Sequence, residues 1–402
     1  MNHKKIRGRQ LGLPFEGETG KFNAITDVPG LLVGSKTLIS GNLPMITGKG
    51  PIRTGVTSIL PRGFTKEPQP VWAGQYSLNG NGEMTGTHWI KDGGYFVGPI
   101  CLTNTNSVGI THHAANKWII EHHKEYWNKD HLWAMPVIAE TYDGVLNDVN
   151  GQHVKENDVT EAINNAKSGK VEEGNTGGGT GMIAYEFKGG TGTSSRILNI
   201  EGERFTIATL VQANHGIRPW LSILGVPVGK HLENNRLENV FETSELGSIV
   251  VFIATDAPVM PHQLQRMAKR AALGVARGGS PGGNNSGDIF LAFSNANSKL
   301  MPMLTKSKLQ FEYINDEVFD DIYLAIVQSV EESVVNAMLA ADDMETLRPS
   351  GHICKAINYD DSVTDSLSNL CLVLLHSKTK KEAYVRAYVR QILKEENYES
   401  IA

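Results

Sequence analysis

"GSIVVFIATDAP", residues 247–258, decides how the rest of the chain is read. From Ile249 to Ala254 the run is apolar without a break and rich in β-branched residues. Gly247 bounds it on one side and Asp256-Ala257-Pro258 on the other. A short apolar run of this length, bounded by turn residues, reads as a buried strand. Its start is unusual. The polar residues from Thr243 to Glu245, then Leu246 and Gly247, lead straight into Ser248. A hydroxyl therefore sits at the lip of a buried strand, more than halfway along 402 residues.

Downstream, Pro261 suits a first helical turn. Leu264, Met267, Ala268, Ala271 and Val275 then hold helical spacing until Gly278 and Gly279 stop it. "SGDIFLAFS" (286–294) reads as the next strand. Ile326, Val330, Val334 and Met338 mark a long amphipathic helix, and Tyr384, Tyr388 and Ile392 a final one. Upstream, residues 22–62 and "PVWAGQYSL" read as short strands and turns. "HHAANKWIIEHH" (112–123) reads as a helix and "WAMPVIAETYDG" (133–144) as a strand closed by Asp-Gly. Polar residues from Asp148 to Glu173 predict a helix with exposed ends. A short strand, Met182 to Phe187, is expected between two glycine clusters, followed by the strand "ERFTIATLVQAN" (203–214). Strands interleaved with helices, without a strict βαβ repeat, predict an α+β fold with sheets layered against helices.

The composition is that of a globular chain, with 20% charged and 40% hydrophobic residues. A net charge of -5 gives no electrostatic footprint for nucleic acid or a membrane surface. The basic start lacks the apolar core of a secretory signal, and no apolar run approaches the roughly 18 residues that span a bilayer. A reducing cytoplasm is the simplest compartment, with the periplasm compatible. Cys101, Cys354 and Cys371 are odd in number and widely spaced, so neither a disulfide framework nor a zinc site is expected. Nothing calls for a metal or an organic cofactor. One domain, 1–402, is expected, with no linker or repeat.

Three familiar chemistries fail on spacing. "GGGTG" (177–181) lacks the following Lys-Ser/Thr and helix of a phosphate loop, so close backbone packing is the better reading. His112, His113, His122 and His123 fall on one helix. There, His113 and His122 point about 180° apart, and His112 and His123 sit roughly 16 Å apart along the axis. Gly-x-Ser-x-Gly is absent. Ser248 fits a different chemistry. A Ser hydroxyl can attack the carbonyl carbon of the residue before it, and Gly247 has no Cβ in the way. Hydrolysis of the resulting ester cuts the chain and leaves Ser248 with a free α-amine of pKa near 7.7–8.0. That amine can activate the adjacent hydroxyl. The dipeptide alone reads more readily as an ordinary strand start.

Several separated stretches together resemble one family. "GSIVVFIATDAPVMPHQLQRMAKRAALGVARGG" and "SGDIFLAFS" are similar to the second chain of the DmpA family. These are the self-processing L-aminopeptidase D-amidase/D-esterases and β-peptidyl aminopeptidases. "NAITDVPGLLVG", "NGNGEMTG", "AETYDGVLND", "GGGTGMIAYEFKGGTGTSSR" and "LVQANHG" match upstream in the same order. The resemblance implies an αββα sandwich and cleavage at Gly247-Ser248 into chains 1–247 and 248–402. It also implies a homo-oligomer, a homotetramer in the family, of processed heterodimers. Ser248 is its nucleophile. Ser286 and Asp288 match its Ser-x-acid pair, where some members carry Glu. Tyr142 and Asn214 match the groups facing the tetrahedral intermediate. Glu140 precedes Tyr142 by two residues, which puts both on one face of a strand. It is a candidate for the substrate's ammonium, or else a structural ion pair.

The expected activity is release of N-terminal residues from small peptides, amides or esters, with no nucleic acid or membrane partner. Two other readings stand beside it. One is an acyltransferase of the ornithine acetyltransferase type, whose nucleophile is Thr. The other is a non-catalytic peptide-binding homologue.

Overall fold

Neighbouring residues along Ser248–Thr255 enter different cores. Ile249, Val251 and Ile253 pack in one apolar cluster, while Val250, Phe252 and Ala254 pack in another. All eight residues of this strand are buried. Burial of each large apolar side chain contributes about 1.5–3 kcal/mol, so the strand fixes whatever stands at its head. These positions come from a computed structural model, which describes residues 5–130, 132–232, 236–237 and 247–357. The loop before Gly247, Cys371 and the expected final helix around Tyr384, Tyr388 and Ile392 lie outside the described residues.

In chain order the strands are β1 (Leu32–Ser40), β2 (Ile52–Leu60), β3 (Val71–Ser77), β4 (Tyr95–Phe96), β5 (Ile100–Asn104) and β6 (Val137–Thr141). Then come β7 (Ile183–Ala184), β8 (Phe187–Lys188), β9 (Gly190–Ile200), β10 (Glu203–Asn214), β11 (Ser248–Thr255), β12 (Ile289–Ser294) and a hairpin of β13 (Met344–Leu347) and β14 (Ser350–Cys354). One sheet has the order β1-β2-β5-β6 and a larger one the order β4-β3-β12-β11-β10-β9. The helices are α1 (Thr87–Gly93), α2 (Val108–His122), α3 (Lys124–Asp130), α4 (Glu156–Asn164), α5 (Pro261–Arg277) and α6 (Phe319–Leu339).

Three clusters stack these elements into four layers. Val56, Cys101 and Ile138 of the smaller sheet pack on Ala114, Ala115, Val159 and Ile163 of α2 and α4. Ile59, Leu102, Val137 and Ala139 of the same sheet meet Leu210, Val250, Phe252 and Leu291 of the larger one. The outer face of the larger sheet meets Leu264, Met267 and Ala271 of α5 and Ile326, Val330 and Val334 of α6. The order is helices, sheet, sheet, helices: the expected αββα sandwich.

Four local expectations change. The stretch Met182 to Phe187 is a tight hairpin of β7 and β8, with Tyr185 and Glu186 at φ 51° and 60°, rather than one strand. The second glycine cluster is itself a strand, β9, paired along its length with β10. Helix in the Asp148–Glu173 stretch is confined to α4 and a short 3-10 turn, Val149–Gly151. The long helix α6 is not amphipathic, because every residue from Ala325 to Leu339 is buried. Its polar positions are met by β9 and the N-terminal segment. Glu332 takes Arg196 at 2.8 Å and Arg9 at 3.1 Å, and Asn336 accepts the N–H of Gly8 at 3.0 Å. With its lead-in, Asp316–Leu339 is long and apolar enough to cross a membrane, yet 89% of the apolar window lies inside the protein. The four histidines are dispersed: His112 on Asn116, His113 facing Glu156, His122 stacked on Trp118 and His123 on the Lys66 carbonyl.

Candidate active site

Strand parity aims the site. Ala208 and Leu210 of β10, like Val250 and Phe252 of β11, face the space between the sheets. Asn214 and Ser248 share that parity and are direct cross-strand partners at the ends of their strands. They therefore meet where the inter-sheet core opens. Ser248 is 7% exposed and Asn214 6%, so both line an enclosed place.

The Ser248 hydroxyl oxygen accepts the N–H of Gly287 at 2.9 Å. Gly287 lies between Ser286 and Asp288, on the loop that enters β12 beside β11. Asp288 Oδ1 accepts the N–H of Ile249 at 3.1 Å and the hydroxyl of Ser286 at 2.5 Å. Burial pushes the Asp288 carboxyl up, while the Ser286 and Ile249 bonds oppose that shift. The loop is clamped from outside by "NGNGEMTG": Asn79 donates to the Gly283 carbonyl at 3.0 Å and Asn81 to that of Asn285 at 2.7 Å.

Asn214 has a fixed orientation. Its Oδ1 accepts the N–H of Ile183 at 2.8 Å, which turns Nδ2 toward the carbonyl of Tyr142, at 3.0 Å. The second N–H on Nδ2 has no partner among the described residues. A cleft runs beside it, lined by Tyr142, Val145, Gly181, Ile183, Asn214, His215, Gly216 and Gly247.

Tyr142 and Glu140 do not act as neighbours on one strand face, because β6 ends at Thr141. The Tyr142 ring turns out over Gly144 and is 43% exposed. Glu140 is buried at the strand end, taking the N–H of Glu83 at 3.0 Å on one oxygen and the Thr105 hydroxyl on the other. No ion pair holds it among the described residues. Burial pushes its carboxyl up. A Cβ on Gly82 would lie 3.3 Å from both Glu140 Oε1 and Gly287 Cα, so Gly82 stands between the carboxylate and the loop that holds Ser248. Next to Tyr142, Asp143 anchors the loop, taking Asn104 at 3.0 Å and Asn147 at 3.1 Å, and burial pushes it up to about 6.

The structure thus brings Ser248, Ser286, Asp288 and Asn214 together, with Glu140 and Tyr142 at the edges. The sequence reading missed the backbone N–H groups of Gly287 and Ile183. Main-chain donors carry no residue signature. The only trace of Gly287 is its place between the serine and the acid.

An αββα sandwich with a serine at the head of a central strand is the architecture of the Ntn hydrolases. The chain belongs to peptidase family S58, whose model matches residues 23–351. It is 47% identical over 350 residues to a β-peptidyl aminopeptidase of Sphingosinicella microcystinivorans, covering 84% of this chain and 86% of that protein. It superposes with a TM-score of 0.86 on the L-aminopeptidase D-Ala-esterase/amidase of Ochrobactrum anthropi, a prototype serine aminopeptidase with a variant Ntn hydrolase fold. The two are 52% identical, over 91% of this chain and 98% of that one. A Burkholderia β-aminopeptidase matches with a TM-score of 0.79 and 40% identity, over 90% and 98%. This chain is an aminopeptidase with a serine-type Ntn hydrolase fold.

Proposed function

We propose that Ser248 acts twice, first on its own chain and then on substrate. In the precursor its Oγ attacks the Gly247 carbonyl carbon and the Gly247–Ser248 C–N bond breaks, leaving an ester. The Oγ proton passes to the departing Ser248 α-amine, and water then hydrolyses the ester to a Gly247 carboxylate and the free Ser248 hydroxyl, giving chains 1–247 and 248–402. The amine then takes the Oγ proton as Oγ attacks a substrate carbonyl. The departing amine is protonated, and water releases the first residue from the acyl-enzyme. Asn214 Nδ2 donates its spare N–H to the developing oxyanion, with Tyr142 flanking it. The N–H of Gly287 holds Oγ. Ser286 and Asp288 orient the head of β11 through the N–H of Ile249.

The observation that carries this reading is the hydroxyl of Ser248, held at 2.9 Å by Gly287 N–H and paired across the strands with Asn214. Substrates are short peptides, amides or esters with a free N-terminal amine. The relatives' names point to β-amino acids and to L- and D-residues. Glu140 receives the ammonium. Its raised pKa makes it neutral on acidification, so KM climbs as pH falls through that pKa while kcat holds. Processed heterodimers assemble into a homo-oligomer, read by light scattering, in the cytoplasm.

Ser248→Ala tests the reading. The variant is expected to stay one chain by intact mass and to release nothing from aminoacyl p-nitroanilides. Wild type is expected to yield a second chain beginning at Ser248. Hydrolysis by Ser248→Ala, or full activity in an uncut wild-type chain, overturns it.

A further inference from the structure

Lys188 is fully buried at the end of β8. Its Nζ donates to the carbonyls of Met182 at 2.8 Å, Gly189 at 2.9 Å and Gly179 at 3.4 Å. Among the described residues no carboxylate comes within ion-pair distance of Nζ. A buried ammonium without a counter-ion costs several kcal/mol, which an apolar side chain in the same space avoids. The carbonyls it meets are informative. Met182 O belongs to the Met182–Ile183 peptide, and the N–H of that same peptide donates to Asn214 Oδ1 at 2.8 Å. Two polarisable amide groups therefore stand in series between the ammonium and the spare N–H of Asn214.

We propose that Lys188 is a positioning residue for the peptidase reaction: its ammonium polarises the Met182–Ile183 peptide and, through it, the Asn214 carboxamide that faces the reacting carbonyl. The proposal rests on the reading of Asn214 as oxyanion donor. Hydrogen bonds in series strengthen one another in a low-dielectric interior. A cation on the far carbonyl makes Ile183 N–H a better donor. Charge drawn to Asn214 Oδ1 then makes Nδ2–H a better donor in turn. The benefit grows as negative charge develops on the substrate oxygen, so it falls on kcat rather than KM. The same three bonds fix the turn Gly179–Met182 against Gly189, and with it the place of Ile183.

A double-mutant cycle tests the relay, with kcat taken per processed molecule as counted by intact mass. Lys188→Met is expected to lower kcat by about tenfold or more with KM little changed, and to cost almost nothing further in an Asn214→Ala background. Lys188→Gln, which keeps two N–H donors without the charge, is expected to behave like Met. An equal loss of kcat in both backgrounds, or full kcat in Lys188→Met, overturns the proposal and leaves Asn214 untouched. Full kcat in Asn214→Ala removes the reading of Asn214 and the relay with it.

Should neither lysine variant fold, the pH profile decides. The groups around Nζ are the Cys354 thiol, the Asp342 carboxylate and the Lys5 ammonium, and burial pulls Lys188 itself down to about 7. The ratio of wild-type to Asn214→Ala kcat is expected to fall as pH rises through that value. Titration of the Ser248 amine is common to both enzymes and cancels. A ratio flat from pH 6 to 9 overturns the relay.

Discussion

A Cβ built on Gly247 would lie 1.9 Å from the carbonyl oxygen of Asn214 and 3.1 Å from the Cα of His215. Backbone on that side cannot yield without moving Asn214, so Gly247→Ala displaces the carbonyl that the proposed self-cleavage attacks. Self-cleavage of Gly247→Ala is expected to slow by about a hundredfold or more, the scale of a misplaced reacting group. A gel time course after synthesis measures it, and wild-type cleavage by the alanine variant would refute the role of close approach. His215, next along, is buried with neither ring nitrogen partnered among the described residues, and burial pulls it from 6.5 down to about 3. Above pH 6.5 both folded and unfolded chains hold it neutral. Below that, only the unfolded chain takes up the proton, so stability is lost as pH falls toward 3, by about 1.4 kcal/mol per unit. His215→Phe removes this loss. Its melting temperature relative to wild type is expected to rise between pH 7.5 and pH 5, and a constant gap counts against the assignment. At this scale the residues themselves pointed only to Ser248; the resemblance added Asn214, Ser286 and Asp288, and the fold brings the four together. Glu140 with Tyr142 shows the limit, because alternation could not foresee that β6 stops at Thr141.

Glycine-rich β9 shows why some elements escape sequence reading. "GGTGTSSR" lacks the branched apolar residues that mark a strand, since its neighbours press on the backbone itself. A Cβ on Gly192 would meet the Ser333 carbonyl of α6 at 2.0 Å, and one on Gly190 would meet the Gly174 carbonyl at 2.2 Å. Polar contacts replace apolar ones. Ser194, Thr209, Ser329 and Ser333 bond to one another at 2.7–3.3 Å between β9, β10 and α6. The reading of α6 as amphipathic fails for the same reason, as its serines and Glu332 face protein and not water. Gly192→Val pushes α6 off the sheet. Overpacking of this kind costs about 1–3 kcal/mol, and more where backbone blocks relaxation. A lowered denaturation midpoint is expected, with the m-value unchanged. The strand β11 and helix α5 were legible because apolar spacing alone dictates them. There, Pro261 and the Gln263 side chain, which accepts the Met260 N–H at 2.9 Å, mark the helix start.

On the scale of the molecule, the proposed cut at Gly247–Ser248 would fall between two strands of one sheet. β10 lies before it and β11 after it, paired without a break from Ile207↔Thr255 to Asn214↔Ser248. β12, also after the cut, is flanked by β11 and by β3 from near the start of the chain. The inter-sheet core draws on Leu102 and Leu210 from one side of the cut and on Phe252 and Leu291 from the other. Neither piece keeps the larger sheet complete. Chain 1–247 lacks two central strands of the larger sheet and the helices α5 and α6 that cover it. Chain 248–402 lacks the smaller sheet altogether. The proposed cleavage would remove one covalent bond but no packing contact, so the two chains would remain one cooperative unit. Processed wild type and the uncut Ser248→Ala precursor are therefore expected to show one calorimetric transition each, at temperatures within a few degrees. After unfolding in denaturant, the precursor is expected to refold more readily than the processed pair, because its strands stay tethered and the separate chains must first meet. Two resolved transitions in the processed enzyme, or native-like structure in chain 1–247 expressed alone, would show two folding units instead of one.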